Sequence, residues 1–157
     1  MSQITCIPMP TETARAYQAG GLDAYGNAPE RIVSGGTGYP CRHCLQTIRA
    51  GAQALVFAHC PFPDLQPYAE TGPVFLCAAP CERHSGPDLP PIARTSPAYL
   101  LKGYSPDNRI VYGTGAIVPP DEIEARAQTL LGRGDIAYVH ARSATNNCYL
   151  FRIDRAA

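Results

Sequence analysis

The sequence Cys41-Arg-His-Cys44 is followed, 32 residues later, by Cys77-Ala-Ala-Pro-Cys81, so the chain carries two close pairs of cysteines. Zinc prefers four tetrahedral sulfur or nitrogen ligands, and two such pairs separated by a hairpin can present four thiolates to one ion. A site in which the protein supplies all four ligands is closed, and it supports folding rather than hydrolysis. The spacing therefore predicts a structural zinc site made of Cys41, Cys44, Cys77 and Cys81.

Two other interpretations of these cysteines stay open. Free cysteine is among the most buried residue types, so the four could be ordinary core residues. A redox site of the thioredoxin type needs its C-x-x-C at a helix start after a strand, whereas Gly38 and Pro40 precede Cys41. His43, inside the first pair, and His84, three residues after Cys81, are candidate replacement ligands.

The segment between the two pairs has the pattern of a small hairpin. Leu45 and Ile48 precede the turn at residues 49–51, and residues 54–58 form an apolar strand that we expect to pair back through this turn. A second apolar run leads into Cys77, and a short helix is expected to begin near Cys81. This order of elements over residues 38–84 resembles a treble-clef zinc finger, in which a knuckle supplies two ligands and a helix start supplies the others.

Composition excludes several classes of protein. The chain has 157 residues, of which 45% are hydrophobic and 17% charged, so it is too apolar to be disordered and suits one domain, residues 1–157. Its 13 basic and 13 acidic residues give a net charge of zero, which argues against nucleic acid as a partner. No run is long enough for a membrane span, and the N-terminus lacks the pattern of a secretory signal, so we expect a cytoplasmic protein without a membrane partner.

The remaining pattern divides the chain into a loop-rich part, residues 1–84, and a more regular part, residues 98–155, with a proline-rich boundary at 85–97. A short helix is predicted over residues 11–19, capped by Thr11, and a longer one from Pro120 to Gly132. Strands are predicted at 109–112, 116–118, 135–142 and 148–153, with a possible strand fragment at 32–33. Residues 99–104 could form a strand or the end of a helix. The fold class is therefore α+β, with a small zinc-knuckle hairpin region packed on a C-terminal, mostly antiparallel sheet with one main helix.

A second polar cluster lies on or beside the predicted C-terminal strands, and its members are Arg109, Tyr112, His140, Arg142 and Asn147. Alternate residues of a strand share a face, so His140 and Arg142 project together and could hold a carboxylate or phosphate. The other interpretation is a solvated face of a half-exposed sheet. Glu70 is a possible acid partner, and Cys148 could act as a nucleophile with His140 as its base, although a buried strand cysteine is the simpler interpretation.

At the level of the whole chain, the sequence resembles a small bacterial family known as domain of unknown function 1203. The matching stretches are Pro40-Cys-Arg-His-Cys-Leu45, Pro61-Phe62, Pro67-Tyr-Ala-Glu-Thr-Gly-Pro-Val-Phe75, Cys81, Arg109-Ile-Val-Tyr-Gly113, Tyr138-Val-His-Ala-Arg142 and Cys148. The resemblance implies no particular reaction. The residues favour a zinc-stabilised binding or interaction module whose partner is a small molecule or a protein. The alternative is a small-molecule enzyme that uses His140 and Arg142, with or without Cys148.

Overall fold

Two antiparallel sheets form the framework of the chain in the computed structural model, which describes residues 3–157. The strands are β1 (Ile4–Ile7), β2 (Glu30–Val33), β3 (Gln53–His59), β4 (Gly72–Cys77), β5 (Tyr99–Tyr104), β6 (Ala116–Val118), β7 (Tyr138–Ser143) and β8 (Tyr149–Arg155). The helices are α1 (Thr11–Gln18) and α2 (Ile123–Leu131), with single 3-10 turns at Pro91–Arg94 and Pro120–Glu122. The predicted α+β class with mostly antiparallel sheets is confirmed. Among residues 3–157, no helix combines the length and the apolar character that crossing a membrane requires.

The larger sheet has the strand order β1-β8-β7-β5-β6 and carries the main core. Helix α2 packs on β5, β7 and β8, because Ile123, Ala127, Leu130 and Leu131 lie on one helical face and are all buried there. This is the helix and the buried face that the sequence predicts. Strand β7 is central, with β8 on one side and β5 on the other, so its side chains are covered on both faces.

The smaller sheet has the order β2-β3-β4, and here the predicted hairpin is wrong. Strand β3 pairs with β2 and β4, not with residues 45–48. Residues 45–48 bond instead to the chain just before the first cysteine pair, where Cys41 N donates to Gln46 O and Ile48 N to Tyr39 O, both at 2.9 Å. The tight turn around the cysteines therefore uses the backbone groups that the predicted hairpin needed.

Four further features differ from the sequence prediction. Strand β1 was not expected, and it forms the sheet edge beside β8. Residues 109–112 form only one isolated bridge, Tyr104 to Ile110, rather than a strand. Thr11 does not cap its helix, because its hydroxyl bonds to His43. Residues 81–90 contain no helix, so the short helix expected to begin near Cys81 is missing from this part of the chain.

The proline-rich segment joins the two sheets rather than separating them. Ile92 and Ala93 are buried in the core of the larger sheet, together with Leu45 from the cysteine turn. Ile92 N donates to Leu45 O at 3.1 Å. The cysteine turn is thus attached both to the smaller sheet, through Cys41 and Phe75, and to the core of the larger one.

Candidate metal centre and the adjoining polar pocket

Four cysteine side chains converge where β4 ends beside the turn at residues 41–44. The Sγ atoms of Cys41, Cys44, Cys77 and Cys81 all lie within 4.8 Å of one another. Cys41 is fully buried and Cys44 nearly so, whereas Cys77 and Cys81 are partly accessible. Sequence spacing predicts this set of four, and the structure brings all of them together.

The separations between the sulfur atoms match a tetrahedral metal site. Cys41 Sγ lies 3.8 Å from Cys81 Sγ, and Cys44 Sγ lies 3.9 Å from Cys77 Sγ. A zinc ion with four sulfur ligands at about 2.3 Å sets those ligands about 3.8 Å apart along the edges of the tetrahedron. A disulfide would need about 2.05 Å. The donor set and the spacing therefore fit a divalent ion with four thiolate ligands.

Backbone and thiol hydrogen bonds favour a negative charge at this site. The backbone N–H groups of His43 and Cys77 point at Cys41 Sγ, at 3.5 and 3.4 Å. Hydrogen bonds from Cys44 and then from the other thiols lower the pKa of Cys41. The interaction with Cys41 raises the pKa values of Cys77 and Cys81 instead. A metal ion can bind once these remaining protons leave.

Side chains outside the four ligands hold the site in place. The Nδ1 atom of His43 lies 3.2 Å from Cys81 Sγ, and its Nε2 lies 2.8 Å from the Thr11 hydroxyl. His43 therefore bridges α1 to the site beside the four sulfur atoms. Arg15 donates to the carbonyl of Cys81 at 2.9 Å.

Leu45, directly after the first pair, has a positive φ of 55° and a fully buried side chain. This conformation closes the turn, since Leu45 N donates to Cys41 O at 3.0 Å. The same residue anchors the turn in the core of the larger sheet. A leucine in the left-handed region is unusual, and its burial is what offsets the backbone cost.

The structure divides the predicted polar cluster into two groups. The Tyr112 hydroxyl lies 2.7 Å from that of Tyr68, and the Arg109 guanidinium stands 5.5 Å from the centre of the Tyr68 ring. Tyr112 is 75% exposed, so this group is a surface feature. His140, Arg142 and Asn147 form the other group.

His140 and Arg142 are buried, at 1% and 3% exposure, so the expectation of a solvated face is wrong. Arg142 Nη2 approaches His140 Nδ1 at 3.4 Å, and Arg142 Nη1 donates to the carbonyl of Asn147 at 3.1 Å. The ring of His140 lies among aromatic rings, the nearest being Tyr104 at 4.6 Å and Tyr149 at 4.7 Å. Burial, followed by the charge of Arg142, holds the pKa of His140 well below its usual range.

Glu70 joins this group from the loop before β4. Its Oε1 accepts from Lys102 at 2.9 Å, and its Oε2 lies 3.2 Å from the Asn147 amide nitrogen and 3.7 Å from Arg142 Nη1. Burial raises the pKa of Glu70, but the bond from Lys102 and the charge of Arg142 outweigh it and lower this pKa. The sequence analysis identifies Glu70 as a possible acid partner of this cluster. It does not indicate Lys102, because the other residues of that segment are mostly apolar.

A small pocket of about 200 Å³ opens beside this group. Its lining includes Glu70, Arg142 and Asn147, with His59 and Cys148. Burial, and then the charge of Arg42, lowers the pKa of His59 to about 4, so its ring is neutral at pH 7. The Cys148 thiol bonds to the carbonyl of Asn146 at 3.8 Å, and no hydrogen bond within residues 3–157 joins it to His140.

Comparison with known families adds one finding. A family model described as a protein of unknown function (DUF1203) matches residues 38–155, so the chain belongs to that family. The match includes all four cysteines as well as Glu70, His140 and Arg142. No curated protein and no solved structure matches the chain.

Proposed function

We propose that this member of the DUF1203 family is a zinc-stabilised binding module, in which Cys41, Cys44, Cys77 and Cys81 hold one structural zinc ion. The observation that carries the proposal is the set of four sulfur atoms, all within 4.8 Å of one another. Zinc is the divalent ion that most often takes four thiolates in a closed tetrahedral site. Four protein ligands leave no position for a substrate or a reactive water, so the ion serves folding rather than catalysis.

A structural role is supported by what the four cysteines connect. Cys41 and Cys44 belong to the core of the smaller sheet, and Leu45 belongs to the core of the larger one. Arg42 also reaches across, and its Nε donates to the carbonyl of Tyr149 at 2.7 Å. Metal binding free energy is then folding free energy for both sheets.

The thiols also agree with a reducing compartment. All seven cysteines are free, although two sulfur pairs approach within 4 Å. Disulfides are rare where glutathione keeps thiols reduced, and metal sites are the common use of clustered cysteines there. We therefore assign the module to the cytoplasm.

Elemental analysis of protein purified without added metal tests the proposal. We expect one zinc per chain, and Cys44→Ser should lower both the zinc content and the melting temperature. Cys60→Ser is the control, because Cys60 is a partly buried thiol outside the cluster that bonds to the carbonyl of Phe62. Its zinc content should equal that of the wild type.

Two results would contradict the proposal. One is a metal-free native protein whose four clustered thiols react readily with an alkylating reagent. The other is a Cys44→Ser protein with the full zinc content of the Cys60→Ser control.

A further inference from the structure

A cleft runs between the two sheets, next to the polar pocket described above. Its larger part is a groove of about 900 Å³, and its smaller part is the pocket of about 200 Å³. The two share Pro73, Asn146 and Cys148 as lining residues, so they are adjoining parts of one cleft. The volume of the groove lies in the range of small-molecule sites, whereas the pocket alone is smaller than such a site.

The two parts of the cleft differ in chemistry. The groove is mainly apolar, with Phe75 from the smaller sheet on one side and Ile92 and Leu150 on the other. The pocket is mixed in character, and Arg142 and Asn147 supply polar groups to its lining. A ligand that fills both parts needs an apolar body and a polar head.

The charges around the cleft select a negative head. Arg142 lines the pocket, and the one carboxylate near it, Glu70, makes its shorter ion pair with Lys102. Arg42 lines the groove at 2% exposure, and its guanidinium donates to the carbonyls of Tyr149 and Pro40. No carboxylate of residues 3–157 pairs with Arg42. Among the residues that line the cleft, Arg42 and Arg142 against Glu70 leave an excess of positive charge.

We propose that this cleft binds an organic carboxylate with an apolar body, with the carboxylate at Arg142 and Asn147 and the body along Phe75, Ile92 and Leu150. A hydrogen bond between a guanidinium and a carboxylate is charge-assisted and therefore stronger than one between neutral groups. Glu70 limits the affinity, because it stands 3.7 Å from the same guanidinium. The carboxylate would occupy only the pocket and the apolar body only the groove, so we expect tight binding to require both parts of the ligand.

Cys148 gives a direct readout, because its thiol lies where the pocket and the groove meet. Octanoate is the probe, and its effect is measured as the rate of iodoacetamide labelling at Cys148, resolved by mass spectrometry of the zinc-loaded protein. At ten times its dissociation constant, octanoate should slow this labelling about tenfold. Octanol and acetate, each lacking one half of the ligand, should leave the rate unchanged at the same concentration.

Two variants test the pocket and the groove separately. Glu70→Gln removes the competing charge beside Arg142 and should tighten octanoate binding about tenfold. Thr145→Trp places a bulky ring in the groove from an exposed loop position, and it should abolish protection by octanoate.

Equal protection by octanol would overturn the role of the carboxylate, and so would an unchanged affinity in Glu70→Gln. Unhindered labelling of Cys148 in the presence of octanoate would overturn the site itself. Zinc content is measured on the same samples, so a failure of the metal proposal is recorded separately.

Discussion

Acidification from pH 7 to pH 5 is expected to destabilise the fold through the half-buried His59 and the buried His140. His43, whose pKa burial also lowers, adds to the same effect. Each ring is neutral in the folded protein, because burial, aided by nearby guanidinium groups, lowers its pKa. In the unfolded chain all three rings have the ordinary value of about 6.5. Unfolding in this pH range therefore takes up protons, and acid favours the unfolded state.

The sign and size follow from proton linkage. A histidine whose pKa is lowered on folding contributes stability that is complete above pH 6.5 and is lost as the pH falls towards the folded value. For His59, with a folded pKa of about 4, the loss at pH 5 amounts to about 2 kcal/mol. His140 contributes in the same direction. Each ring adds at most about 1.4 kcal/mol per pH unit to the slope of stability against pH.

Urea unfolding between pH 7.5 and pH 5 measures this slope. His59→Gln should reduce this slope, because it removes one of the three rings, His43, His59 and His140, whose pKa values are lowered on folding. The carboxylates act at lower pH, since the pKa values of Glu70 and Asp23 are lowered and their stabilisation is lost only as the pH falls through those folded values. Zinc content is determined at every pH, so that release of metal is separated from protonation of histidine.

A flat stability profile between pH 6.5 and pH 5, at constant metal content, would refute this reasoning. So would a His59→Gln protein with the slope of the wild type. His140→Gln is expected to flatten the profile as well, but it also removes ring contacts with Tyr104 and Tyr149, so its stability at pH 7.5 should already be lower.

Two packing predictions can be checked by the same urea titrations at pH 7.5. Leu45→Ala should cost about 2–5 kcal/mol, because it empties a fully buried site in the core; Leu45→Gly should be no less stable than Leu45→Ala, since glycine accepts the positive φ of 55°. Gly103→Ala should cost about 1–3 kcal/mol, because the new Cβ would lie 2.7 Å from Cδ1 of Ile136; Gly134→Ala, whose Cβ meets nothing within 4 Å, is the control.

Features with a local cause are the ones the sequence predicts well. The four cysteines are recognisable from spacing alone, because a metal site of this kind draws its ligands from two short turns. Helix α2 is predicted with its buried face, because periodicity and the acidic, proline-containing start are properties of one short segment. Strands β7 and β8 follow from runs of apolar and aromatic residues, whereas the same kind of run in β5 fits a strand or a helix end.

Features that depend on distant partners are not predictable in this way. Residues 54–58 are recognisable as a strand, but nothing local shows that their partners are β2 and β4 rather than residues 45–48. The same applies to His140 and Arg142. Their alternation with apolar residues is typical of a half-exposed strand, yet Phe62, from a loop far away in sequence, covers the ring of His140 at 5.1 Å.

Because the cleft borders the cysteine turn, we expect ligand binding to depend on the metal ion, but metal binding not to depend on the ligand. One wall of the groove comes from Arg42 and Phe75, at the cysteine turn and in β4, and the other from Tyr99 and Leu150 of the larger sheet. Contacts of the cysteine turn hold the two walls together, among them the hydrogen bond from Arg42 to the carbonyl of Tyr149. Loss of the ion should therefore open the groove and abolish ligand binding, because the cysteine turn loses its anchor. Blocking the groove with Thr145→Trp leaves all four sulfur ligands untouched, so zinc content should not change.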